Sequence, residues 1–137
     1  MRTYRSVNLV LFLLFAITGI MFLSIPDKVL ILFNNISSSF GLPLSPVGSW
    51  NFYLILAAGY MYVVSVLAFL MFRHPENPHF PLLLIHAKLA SSVLSLAFFL
   101  LQAHYLVYLA NFIVDGTIGI LVSTLYIKMR RTYWVYS

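Results

Sequence analysis

Four runs of apolar residues, at 6–25, 50–72, 81–101 and 106–127, dominate the chain. Each is about 20 residues long, the length a helix needs to cross roughly 30 Å of hydrocarbon at about 1.5 Å per residue. Inside a bilayer every backbone N–H and C=O must be satisfied within the segment, so the runs read as helices. They lack the alternating pattern of a membrane barrel. Composition agrees: 62% of the 137 residues are hydrophobic, 8% are charged, and the mean hydropathy is +0.97. A soluble domain carries roughly 25% charged residues. These figures exclude a soluble enzyme, a nucleic-acid binder and a disordered chain. The expectation is an all-α polytopic membrane protein, with residues 1–137 forming one transmembrane domain, a four-transmembrane-helix bundle whose first partner is the lipid bilayer.

The basic residues set an orientation. Arg2, Arg5, Arg73, Lys128, Arg130 and Arg131 fall on one side of a four-span arrangement, and only Lys28 falls on the other. The positive-inside rule then predicts both termini cytoplasmic; a bacterial cytoplasmic (inner) membrane is a separate expectation that the charges do not establish. The first run follows Met1-Arg2-Thr3-Tyr4-Arg5 but is long for a signal peptide and lacks a small-residue cleavage pattern, so it reads as a retained helix. No cysteine is present, which removes disulfides and thiol chemistry.

The connection between the first two runs is the longest. Val29, Leu32, Phe33, Ile36 and Phe40 recur at helical spacing there, predicting a short amphipathic helix over 27–40 at the membrane surface. Trp50, Phe52, Tyr53, Tyr105, Tyr108, Tyr126, Tyr133, Trp134 and Tyr136 stand near span ends, as interfacial anchors do. Small residues Ala57, Ala58 and Gly59, and Gly116, Gly119 and Ser123, mark places where helix backbones can approach closely. Tyr60 and Tyr62 lie beside the first of these patches, with Met61 and Met71 on the same helix, as core packing or the lining of a groove.

Polar residues inside the third and fourth runs are the strongest functional signal. Lys88, Ser91, Ser92 and Ser95 form one helical stripe, with His86 nearby, while Asn111 and Asp115 lie one turn apart with Tyr108 a turn earlier. A charge deep in hydrocarbon costs at least about 2.5–3.5 kcal/mol on insertion scales, so it faces the bundle and has a partner. Lys88 lies roughly 10 Å deep and Asp115 roughly 18 Å deep, an offset of about 8 Å that an extended lysine can nearly bridge. Direct contact, or a bridge through water or serine, are both open at this point. So are two roles for the cluster Lys88, Asp115, Asn111, Ser92, Ser95, His86 and Tyr108: a packing lock, or a site for a ligand, proton or substrate. The histidines form no facing pair for haem or metal, and no catalytic triad, phosphate loop or carboxylate pair occurs. No catalytic residue is assigned, and nothing selects an enzyme.

Four short-looped helices, an irregular outer segment after Pro26 that ends Phe40-Gly41-Leu42-Pro43, and polar positions at Lys88 and Asp115 resemble the DoxX-like group of small membrane proteins. That resemblance implies an accessory, assembly or scaffold component of a membrane complex, with a membrane-protein partner or a homo-oligomer. It also implies a quinone as the cofactor class to consider, within an oxidoreductase subunit or a binder of hydrophobic ligands. A proton-coupled transporter would use the same ionisable pair, but the repeats and broken helices common in transporters are not seen.

Overall fold

A computed structural model describes residues 2–47 and 51–134, with side chains over 2–47 and 55–131. The five helices among them are α1 (Arg2–Ser24), α2 (Pro26–Ser39), α3 (Asn51–Arg73), α4 (His79–Leu101) and α5 (Leu106–Trp134). Four are long and apolar enough to cross a membrane, over Arg2–Ser24, Ile55–Arg73, His79–Leu101 and Leu106–Arg131. Only 17% to 28% of each spanning window is buried within the protein, so most of their apolar surface is left for lipid. This is the makeup of a multi-pass membrane protein.

Local sequence explains the breaks. Ile25 leaves helical geometry at φ −141°, ψ 48°, and Pro26 then starts α2, where its missing N–H costs no bond. At the other end of α2, the Leu42 N–H donates to the Ser37 carbonyl at 3.1 Å and the Gly41 N–H to that of Ser38 at 3.2 Å. Gly41 has φ +67°, the left-handed conformation this helix ending requires. Residues 26–39 are thus helical, as the apolar spacing predicts. α5 runs past the expected boundary at 127 because Lys128, Met129, Arg130 and Arg131 all favour helix and no glycine or proline intervenes.

The spanning helices form two antiparallel pairs. α1 lies along α3, with Gly19 against Met61 and the Phe12 and Phe69 rings 5.4 Å apart. α4 lies along α5, where Leu89 packs on Gly119 and Ser92 on Gly116. The contact between α3 and α4 is less extensive. Phe15, Val64, Met71, Leu84 and Val122 build the apolar core between the pairs. Of the two small-residue patches, the one on α5 makes a close approach. On α3 only Ala58 is buried, and Gly59 faces open space. Tyr62 is 71% exposed, whereas Met61 and Met71 are core residues.

A Cβ at Gly119 would sit 3.0 Å from Leu89 Cδ2, and one at Gly59 would meet nothing within 4 Å. Gly119→Leu should therefore lower the unfolding free energy by about 1–3 kcal/mol through overpacking. Gly59→Ala should be neutral or stabilise by up to about 1 kcal/mol, from helix propensity alone. Unfolding of the two variants in mixed micelles checks both signs.

Candidate functional site

Lys88 Nζ donates to Asp115 Oδ1 at 2.7 Å, with Lys88 1% and Asp115 3% exposed. The contact is direct, and the lysine stem takes up the difference in depth between the two backbones. The ammonium also lies over two aromatic faces, 4.5 Å from the Phe15 centroid and 5.0 Å from that of Tyr60. A cation over a desolvated ring gains about 2 kcal/mol, and here the rings come from α1 and α3. Lys88 on α4 thereby engages every other spanning helix. Asp115 Oδ2 has no hydrogen-bond partner among the described residues.

The polar stripe on α4 divides in two. Ser92 turns inward with Lys88, its hydroxyl donating to the Phe112 carbonyl at 2.9 Å. Ser91 and Ser95 turn the other way, towards a cavity, and accept both N–H bonds of the Asn111 amide at 3.1 Å and 2.7 Å. Asn111 engages one lone pair of each serine oxygen and Ser91 also lies within hydrogen-bonding range of Tyr60, so these contacts leave the Ser95 proton for another acceptor. Tyr60 joins the two regions. Its ring touches Lys88, its hydroxyl donates to the Ala87 carbonyl at 3.1 Å, and its outer edge lines the cavity.

The cavity measures about 1020 Å³ and sits at the α2 end of the bundle, between α3 and α4. Its walls are mostly apolar, including Phe22, Leu30, Leu94 and Phe98. Ala90 and Leu94 on its α4 wall are exposed, so it communicates with the lipid-facing surface. Its roof is α2 with the strand of chain behind it. Asn34 Nδ2 donates to the Ser45 carbonyl and Asn34 Oδ1 accepts from the Ser45 N–H, both at 2.8 Å. Ser37 reinforces the clip through the Leu42 and Pro43 carbonyls.

Of the residues singled out from sequence, Lys88, Asp115 and Ser92 form the buried lock, and Asn111 and Ser95 form the polar rung beside the cavity. Tyr108 lines the cavity too, with Phe98 at 5.9 Å and Tyr105 at 5.8 Å between ring centroids. His86 does not join them. It lies about 200° around α4 from Lys88 and is exposed. Tyr105 and Tyr108, read as anchors, are cavity residues, and Tyr126 is buried at 7% exposure. Trp50, Phe52, Tyr53, Tyr133, Trp134 and Tyr136 lie outside the described side chains. Sequence reasoning missed Phe15, which no periodic signal distinguishes from its apolar neighbours. It also missed Asn8, an amide within an apolar run that should have drawn notice. No group of three or more metal-ligating side chains occurs among the described residues.

Removing one member of the lock leaves the other buried and unpaired, at a cost of about 3–5 kcal/mol. Lys88→Met and Asp115→Leu should each lower the melting temperature sharply, and the double variant should recover most of the loss. A double variant as damaged as either single one would show that the pairing is not what stabilises this layer.

Comparison with family models, with curated proteins and with solved structures returns no match to this chain, so its function rests on the site itself.

Proposed function

We propose that this chain binds an amphipathic molecule in the outer cavity, its apolar part filling the space and a neutral acceptor oxygen meeting the Ser95 hydroxyl. A quinone is one molecule of this class, held without a covalent or redox step by the protein's own groups. The observation that carries the reading is the largely apolar 1020 Å³ cavity with Ser91 and Ser95, held by Asn111, on its wall beside Gln102 and Tyr108. Ligand pockets are built this way, largely apolar with a few placed polar groups. Lys88 and Asp115 stand behind Tyr60 as the support of that wall. The protein acts as an accessory component of a membrane complex, in a bacterial inner membrane with both termini cytoplasmic. The basic residues at the terminal ends of the spans support that orientation.

A decyl-chain quinone should raise the melting temperature of the detergent-solubilised protein, and Ala90→Trp, which fills the cavity mouth, should abolish the shift. Ser95→Ala should weaken binding by about two- to tenfold, the loss of one donor. No shift with quinones or with other carbonyl-headed amphiphiles would sink the proposal.

The absence of native cysteine makes topology directly testable. Cysteine placed at Ser39 should react with an impermeant maleimide on intact cells, and cysteine placed at Arg131 should react only after permeabilisation. The reverse pattern would invert the orientation.

A further inference from the structure

Tyr4, Asn8 and Tyr126 form a second polar group, at the opposite end of the bundle from the cavity. Tyr4 and Asn8 are one turn apart on α1, on the face that continues through Leu11 to Phe15. Tyr126 lies on the face of α5 that carries Asp115, Ile118 and Val122, and is within electrostatic reach of Tyr4. All three are buried, Asn8 at 0%, Tyr4 at 4% and Tyr126 at 7% exposure. The Asn8 amide lies within range of the Tyr4 hydroxyl, yet neither tyrosine hydroxyl nor either polar atom of that amide has a well-formed hydrogen bond among the described residues. Four such atoms in one place are unusual, because each unmet group in an apolar setting costs roughly 1–3 kcal/mol.

The chemistry of the four atoms selects what can satisfy them. Asn8 presents two N–H donors and a carbonyl acceptor, and each tyrosine presents one donor and one acceptor. A cation would leave the amide N–H groups unmet, and an anion would leave the Asn8 carbonyl unmet. A molecule that both donates and accepts fits all of them. We infer that Tyr4, Asn8 and Tyr126 enclose an internal water site, which bridges the terminal ends of α1 and α5. Buried water of this kind makes about three hydrogen bonds to otherwise unmet groups, and here it ties together two helices whose direct packing is slight. Along α1 and α5, the buried Leu11 and Val122 stand between this group and the layer of Phe15 and Asp115.

Radiolytic hydroxyl labelling tests this on the full chain in detergent, because radicals formed from bound water mark adjacent side chains that bulk solvent cannot reach. Tyr4 and Tyr126 should be modified in the native protein, with Phe15, 0% exposed, as the unlabelled internal reference. Asn8→Leu should remove the label from both tyrosines and lower the melting temperature by several degrees, since the hydroxyls lose their bridge. The triple variant Tyr4→Phe, Asn8→Leu, Tyr126→Phe should regain stability, because no polar group is left unmet. If Asn8→Leu does not fold, labelling of the native protein and of Tyr126→Phe still decides the matter. Absence of label at both tyrosines overturns the inference, as does an Asn8→Leu protein more stable than the native one.

Discussion

The structure depends on a single ammonium group. A lysine buried in a bilayer must be neutralised and surrounded, and Lys88 meets that demand with a carboxylate from α5 and ring faces from α1 and α3. Hydrophobicity alone cannot select among these helices, since lipid tails are as apolar as leucine, so shape and polar contacts decide. The lysine adds a directional demand, because the observed arrangement places its carboxylate and both rings around it. Removing Asp115 leaves the ammonium without its counter-charge, a penalty that ordinary leucines and valines do not impose.

Most of the architecture was legible because the bilayer imposes it. Span number and approximate limits follow from hydrocarbon thickness, and Pro26 marks the first break in the chain. The pairing of Lys88 with Asp115 was legible to within the choice of direct or bridged contact, because a buried charge needs a partner. What was not legible depends on helix–helix contacts of high sequence separation. Phe15 looks like its neighbours until α4 places a lysine beside it. Tyr126 satisfies the rule for interfacial aromatics, yet it lies three turns from Asp115 on the same face, and that face is buried. His86 was the reverse case. Its angular separation from Lys88 was already readable, and nearness in sequence outweighed it.

Two sides of one helix make two different sets of polar contacts. On α4, Lys88 and Ser92 turn towards the neighbouring spans, while Ser91 and Ser95 turn towards the cavity with Asn111. Tyr60 connects the sides without making either dependent on solvent. The less extensive contact between α3 and α4 leaves room for the cavity, and the clip between Asn34 and Ser45 holds α2 over it. A bundle packed equally tightly along its whole length would have no such space.

The α4–α5 hairpin has a consequence for biogenesis. Its connecting loop, 102–105, is short, and close contacts at Gly116 and Gly119 join the two helices directly. Lys88 and Asp115 therefore meet within one hairpin, along with Asn111 and its two serines. A translocating chain that released α4 into lipid before α5 would have to insert an unpaired lysine, whereas the two helices entering together carry no net charge in their apolar part. Joint entry of the last two spans is therefore the less costly route, whereas the apolar stretches of α1 and α3 carry no charged side chain that needs a partner.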